Sequence, residues 1–466
     1  MERYDLIVLG AGSAARDGAK KAATQYGAKV ALVESTRWGG SCPNVACKPT
    51  KAYLVVAELV HDVNTIAETL GIEVGPARID LPRVKARKDS LKKPQPKWVE
   101  DLNALGFDTY EGEATIVDAN TVRVGAEEVS ADRILIATGS RTAVPPIEGI
   151  EDVGWIDHVS GLELTELPDS TLVVGGGAVG LEFGQAFARF GSRVTIVDAL
   201  DQIAPRSDRQ AAEELQAALE AEGIEVVLGS FVKSVEREGE EIVATLVPRD
   251  GEGLREVRAT QVLLASGRVP NVEALRLEEL GIERHRLGIT VDEHMRTSVE
   301  GIWAAGDVTG LAQFTPVAQY QARLAVDDMF GSNGATADYS ILPTAIFSDP
   351  ELAGVGLTEE DAREQGLEYE AVVHELKYVQ RASYTNTKHG LFKLVFERGS
   401  RQVLGLHVVA RGAGDIVQGF SLALKLGVTI DDFAGMHHTF PTIGEGVKAA
   451  AEQAMPEKVA MAEVRA

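Results

Sequence analysis

Cys42 and Cys47 are the chain's only cysteines, with four residues between them in GGSCPNVACKPTK. The run AYLVVAELV that follows has helical character, so both thiols fall near a helix N-terminus. There the macrodipole and the cations Lys48 and Lys51 would stabilise a thiolate. The chemistry on offer is thiol–disulfide exchange. A metal pair competes with that reading, but zinc takes three or four ligands and His61 is the one further candidate nearby. An inert disulfide is the third reading, although disulfides inside cells are usually catalytic or sensing. A second stretch, HHTFPTIGEG, places His437 and His438 ahead of Pro441-Thr442 and Glu445 behind it. A histidine beside a carboxylate could move a proton in such an exchange.

Thiols that pass electrons need a donor, and the chain carries one nucleotide-binding device twice. Tyr4 to Leu9 (YDLIVL) reads as a buried strand, followed by GAGSAARDGAKKAATQYGAKVALVE. Gly10 and Gly12 allow a tight turn against a pyrophosphate, and Ala15 is small enough for the helix to pack on the strand. The next strand ends in Glu34, 24 residues after Gly10, placed to accept a bond from a ribose hydroxyl. The pattern recurs in TLVVGGGAVGLEFGQAFARFGSRVTIVD, with Gly175, Gly177, Gly180 and the terminal Asp198. Asp198 favours NADH over a 2′-phosphate, while the nearby Arg206 leaves NADPH open. Two dinucleotides in one chain suggest electron transfer between two redox cofactors.

At 466 residues the chain is long enough for two to four domains. The net charge of −24 gives no footprint for nucleic acid. Lys85 to Lys97 (KARKDSLKKPQPK) is a local exception, read as a solvated face rather than an anion site. No uncharged apolar run has membrane-spanning length, and the opening MERYDLIVLG leaves no room for a secretion signal. A cytoplasmic enzyme is the expectation.

Longer motifs carry a resemblance. GGSCPNVACKPTK, ILIATGS (Ile134 to Ser140), LLASGRVPN (Leu263 to Asn271), TSVEGIWAAGDV (Thr297 to Val308) and PTAIFSDPELAGVGLTE (Pro343 to Glu359) stand in one order. In that order they resemble the FAD-dependent pyridine nucleotide-disulfide oxidoreductases, the family of dihydrolipoamide dehydrogenase, glutathione reductase and mercuric reductase. The resemblance implies electron flow from NADH or NADPH through FAD to a Cys42–Cys47 disulfide and on to an acceptor. Cys47 would face the flavin as a thiolate and Cys42 would meet the substrate. Lys51 would lie near the flavin, paired with Glu182, and Asp307 would bind the ribityl chain. Gly40, Ser41, Ala114, Thr138, Gly139, Gly267, Gly306 and Val317 complete the implied cofactor-binding set. Ala178 falls where some relatives carry an aromatic gate over the nicotinamide pocket.

The implied fold is α/β: two Rossmann-like dinucleotide-binding domains and a C-terminal α+β dimerisation domain. FAD-binding parts are expected at residues 1–150 and 271–335, the NAD(P) domain at 151–270, and the dimerisation domain at 336–466. The partners are a second copy of the chain, whose Glu445 segment would complete the active site, and a small-molecule, metal-ion or disulfide acceptor. No resident metal is expected.

One position departs from the pattern. Disulfide reductases of this family carry a histidine immediately before Pro-Thr, and here that place belongs to Phe440. His438 lies two residues upstream, about 7 Å of extended chain, and is not expected to slide into the role; Phe440 is expected to wall the substrate pocket. Mercuric reductases have a tyrosine there, so the departure points to their side of the family. Their usual C-terminal cysteine pair has no counterpart in EKVAMAEVRA.

Overall fold

The computed structural model describes residues 1–251, 253–331 and 334–455. The terminal EKVAMAEVRA lies outside the described residues. The chain forms two compact units, one from Met1–Ala52, Lys85–Val144 and Gly267–Asp338, the other from Tyr53–Val84, Pro145–Ser266 and Tyr339–Ala466.

The first unit is built on a parallel sheet of five strands, ordered Ile302–Ala304, Ile134–Ile136, Leu6–Leu9, Val30–Glu34 and Asp108–Glu111. Leu6, Ile7, Val8 and Leu9 are 0–1% exposed, as a central strand covered on both faces requires. Burial of each such side chain is worth about 1.5–3 kcal/mol. The expected single strand from Tyr4 to Leu9 is in fact two. Glu2–Tyr4 pairs with Glu127–Ala131 in a second sheet, and the chain changes sheets at exposed Asp5, whose carboxylate accepts from Lys29 N at 2.8 Å. On the main sheet the helices Ser13–Tyr26 and Thr315–Met329 meet through small side chains, Ala15, Ala19 and Ala22 facing Ala318, Ala322 and Ala325 in one core. A Cβ added at Gly18 would come within 3.4 Å of Ala322 Cβ.

The second unit repeats the parallel arrangement in a four-stranded sheet, ordered Glu225–Val227, Arg193–Val197, Ser170–Val174 and Gln261–Leu264. The helix Ala178–Phe190 follows the central strand. An antiparallel five-stranded sheet, with Val403–Ala410 and Leu391–Glu397 inside it, carries the helices Ala413–Lys425 and Glu445–Gln453. Within this unit a charged group is buried where none was expected. Lys393, 2% exposed, lies 2.9 Å from Asp208 Oδ1 and also pairs with Glu359. Asp208 caps the helix Arg209–Ala221. Beside it His407 is buried, its Nε2 3.0 Å from the Leu357 carbonyl oxygen, and burial lowers its pKa.

Candidate active site

The two glycine turns are near copies at atomic detail. Gly10 has φ +112° and Gly175 φ +116°, backbone states that favour glycine. A Cβ on Gly10 would lie 2.4 Å from Ala137 O, and one on Gly175 2.4 Å from Ala265 O. Each strand-end carboxylate turns inward. Glu34 Oε2 accepts from Ala11 N at 2.8 Å, and Asp198 Oδ2 from Gly176 N at 2.6 Å. The expected ribose acceptors are therefore also the braces of their turns. Glu34 Oε1 further accepts from Thr36 N at 2.8 Å and Arg37 N at 3.0 Å, and Asp198 Oδ1 from Leu200 N at 2.8 Å. Arg206 is exposed.

The residues present fit a dinucleotide in the first unit. The helix Ser13–Tyr26 begins at Gly12 with no side-chain cap, which leaves first-turn N–H groups to an anion. A Cβ on Gly40 would sit 2.4 Å from Gly12 Cα, so two backbones approach with no side chain between them. Beyond them a cleft of about 240 Å³ is lined by Glu34, Thr36, Trp38, Gln95, Val99 and Glu111. Asp307, just after Gly306, accepts from Ser140 Oγ at 2.8 Å, and Arg268 Nε donates to the same hydroxyl at 2.8 Å. Gly306 N donates to buried Gln321 Oε1 at 2.7 Å. Thr138 Oγ1 donates to Asn271 O at 2.7 Å, and Asn271 N to Gly139 O at 3.0 Å, which ties the turn after Ile134–Ile136 to the segment after Gly267. Val317 is buried on the helix Thr315–Met329, Ala114 is partly buried against the core, and Ser41 is exposed.

Cys42 lies in the short helix Ser41–Asn44, and Cys47 is the first residue of Cys47–His61. Buried Asn44 fixes the approach, donating to Trp38 O at 3.0 Å and Gly40 O at 2.7 Å. The two sulfurs, drawn as free thiols, lie within hydrogen-bonding reach of each other, with Cys47 Sγ 3.8 Å from Thr315 Oγ1. The hydrogen bond from Cys47 lowers the Cys42 pKa to about 6 against the effect of burial; Thr315, Lys48 and Arg16 act in the same direction. Its bond to Cys42, burial and the Cys42 charge raise that of Cys47, while Lys51, one turn along the helix, opposes the rise.

In the second unit Glu182 is buried and accepts from Phe347 N at 3.1 Å. Ala178 is exposed at the start of its helix. Glu445, 8% exposed, accepts from Gln380 N at 3.1 Å and Thr442 N at 3.5 Å. His438 Nε2 lies 3.9 Å from Glu445 Oε2. The loop before Glu445 thus brings this histidine near the carboxylate, although Phe440 keeps the place immediately before Pro441-Thr442. Phe440 is 68% exposed, so within its own chain it protrudes rather than walls a pocket. The stretch of residues 85–97 lies on a largely exposed face, with Lys88 buried, and its lysines are paired there. Asp89 binds Lys88 at 2.9 Å and Lys85 and Lys92 at 2.8 Å, while Asp101 pairs with Lys93 and Lys97.

Two anion-ready glycine turns and a close pair of thiols define an oxidoreductase that handles two dinucleotides. Comparison with known proteins agrees. Residues 4–322 match the pyridine nucleotide-disulphide oxidoreductase family and residues 342–451 its dimerisation domain, and the chain belongs to this family. The family is FAD-dependent with NAD(P)H as electron donor. The chain is 36% identical to a mercuric reductase of Lysinibacillus sphaericus over 97% of its own length and 82% of that protein's. It is also 36% identical to a dihydrolipoyl dehydrogenase of Thermus scotoductus, covering 97% of each. Among solved structures, the HOCl-induced flavoprotein disulfide reductase RclA from Escherichia coli superimposes with a TM-score of 0.86 at 28% identity, over 97% of this chain and 100% of that one. A Cu(II) complex of RclA gives the same TM-score, at 27% identity over 98% of this chain and 100% of that one. Among the described residues no helix is long and apolar enough to cross a membrane.

Proposed function

We propose that this protein is a homodimeric, cytoplasmic NAD(P)H oxidoreductase that reduces a soft metal ion or a quinone. The observation that carries the reading is a close pair of thiols at a helix start in a chain with Phe440 where the disulfide reductases hold a histidine. The first glycine turn would hold FAD, with Glu34 and Asp307 toward its sugar portions, and the second would hold the nicotinamide nucleotide. Bound FAD supplies hydride acceptance and two-electron transfer. The chain's own residues do the rest. Attack by the Cys42 thiolate on a disulfide expels a thiolate that needs a proton, and a positioned acid contributes roughly 10²- to 10⁴-fold. Two sulfurs closing on a soft metal ion release the Cys47 proton instead of requiring one, so that reaction needs no acid at the place of Phe440. The likeness to mercuric reductases and to a Cu(II)-binding flavoprotein supports this choice. The braced Asp198 carboxylate supports NADH as donor.

A disulfide reductase is the second reading, favoured by the approach of His438 to Glu445. One experiment separates the two. Holoenzyme is reduced anaerobically with NADH or NADPH, then mixed with Hg(II), Cu(II), quinones, lipoamide and glutathione disulfide. Fastest reoxidation by a metal ion or quinone, lost in Cys42→Ser for the metal ions, is expected. Fastest reoxidation by a disulfide, with a sharp loss in His438→Ala, would replace the first reading with the second.

A further inference from the structure

Arg268 entered none of the site expectations, yet it stands one hydroxyl away from Asp307. The Asp307 backbone is fixed from one side by its neighbour Gly306, which has φ +85° and donates its N–H to buried Gln321 Oε1 at 2.7 Å. The Gly306 carbonyl accepts from Thr309 N at 3.0 Å and from Thr309 Oγ1 at 2.9 Å. The carboxylate is fixed from the other side by buried Ser140, whose hydroxyl donates to Oδ2 at 2.8 Å. Asp307 Oδ1 makes no hydrogen bond among the described residues.

The direction of the Ser140 bond is set by Arg268. Its Nε donates to Ser140 Oγ at 2.8 Å, and a second nitrogen of the same fork donates to the Ser140 carbonyl at 2.7 Å. A hydroxyl has one proton and two acceptor sites. With one of those sites taken by a cation and an acceptor-only carboxylate alongside, the proton goes to Asp307, and both bonds of the relay are charge-assisted. Arg268 Nε itself is 3.8 Å from Asp307 Oδ2, beyond hydrogen-bond distance, so its grip passes through the serine. The two residues sit on a tied scaffold. The strands Ser140–Thr142 and Arg268–Pro270 pair antiparallel, Ser140 opposite Pro270, and Asn271 Nδ2 donates to Thr138 O at 3.0 Å.

We propose that Ser140 is a positioning residue for Asp307, oriented by Arg268, which occupies Oδ2 and leaves Oδ1 to accept from a hydroxyl of the flavin's ribityl chain. The carboxylate is then pre-organised before the cofactor arrives, which lowers the ordering cost of binding. This assignment deepens the cofactor reading above and rests on Asp307 facing the sugar portion of FAD.

Oxidised holoenzyme is mixed with an excess of an FAD-binding apoenzyme as trap, and flavin release is followed by the activity the trap regains. Asp307→Ala should release FAD roughly ten- to a hundredfold faster, as loss of a hydrogen bond to a charged group requires, and Ser140→Ala about three- to tenfold faster. Arg268→Met should move release in the same direction by a smaller factor, and Ser140→Gly replaces Ser140→Ala if that variant does not fold. The decisive measurement is the double variant. If Ser140 acts through Asp307, Ser140→Ala adds less than about twofold in the Asp307→Ala background, whereas a serine that merely supports the fold multiplies the two effects. Full multiplication overturns the proposal, as does wild-type release in the Ser140 variant beside fast release in Asp307→Ala. Wild-type release in Arg268→Met removes the arginine from the relay and overturns that part. Wild-type release in Asp307→Ala would instead overturn the underlying reading, that this carboxylate holds the flavin.

Discussion

A methyl group added at Gly180 would lie 1.9 Å from the Gly175 carbonyl oxygen and 3.2 Å from Val173 Cγ1. Both neighbours belong to the strand and turn that the helix Ala178–Phe190 packs against, so relief requires the helix to move off the turn. Alanine gains about 1 kcal/mol over glycine as a helix former, while forced overpacking costs roughly 1–3 kcal/mol and more when backbone is the obstacle. The net loss in Gly180→Ala is therefore about 1–2 kcal/mol, concentrated at the turn that Asp198 braces through Gly176 N. If the turn's N–H groups hold the nicotinamide nucleotide, NADH should bind roughly tenfold more weakly, about 1.4 kcal/mol. Titration of the oxidised holoenzyme with a non-reducible NADH analogue measures this directly, with flavin content as the internal control. The first turn provides a contrast, because Ala15, 0% exposed, already carries a methyl at the matching place. Ala15→Gly should lower flavin retention and leave analogue binding unchanged. Wild-type analogue binding in Gly180→Ala would refute the steric reasoning, and loss of flavin from that variant would refute the division of cofactors between the turns.

Phe440→His should raise the reduction of lipoamide or glutathione disulfide by about ten- to a hundredfold if the missing acid limits it, and since Phe440 is 68% exposed the fold should not suffer; an unchanged rate would mean that the pocket has diverged beyond one residue. Breaking the buried pair in Lys393→Met should cost about 3–5 kcal/mol by stranding Asp208, read as a lowered unfolding midpoint in denaturant, and a loss below 1 kcal/mol would show that water reaches the pair. His407 binds a proton less readily folded than unfolded because burial lowers its pKa. Its contribution to stability should thus be complete above the ordinary histidine value of about 6.5 and fall as pH drops below it. Unfolding midpoints at pH 7.5 and pH 5.5 should differ less in His407→Gln than in wild type, and an identical difference would exclude His407 as a source of acid sensitivity.

Much of this molecule is legible in its residues because its devices are local. Gly10, Gly12 and Glu34 lie within one strand–helix–strand unit, as do Gly175, Gly177, Gly180 and Asp198, and local periodicity locates both. The cysteine pair at a helix start is legible for the same reason. What escaped depends on where side chains turn after the chain has folded. Spacing places Glu34 and Asp198 at strand ends but cannot show them bonding back to Ala11 and Gly176. Nor does alternation reveal a lysine buried in the strand Leu391–Glu397, since its counterion Asp208 is 185 residues away. The approach of His438 to Glu445 also depends on a loop that spacing alone does not describe.

The lysines of residues 85–97 bear on encounter kinetics. Asp89 and Asp101 offset only part of the charge of five lysines and Arg87, so the stretch stays a local basic island, while beyond it an approaching acceptor meets the field of a molecule with net charge −24. Cationic acceptors should be drawn in and anionic ones turned away over distances comparable with the Debye length, about 10 Å at 0.1 M salt. Added salt should then slow reoxidation by cationic acceptors and quicken it by anionic ones, a kinetic salt effect whose sign reports the charge of the partner the surface suits.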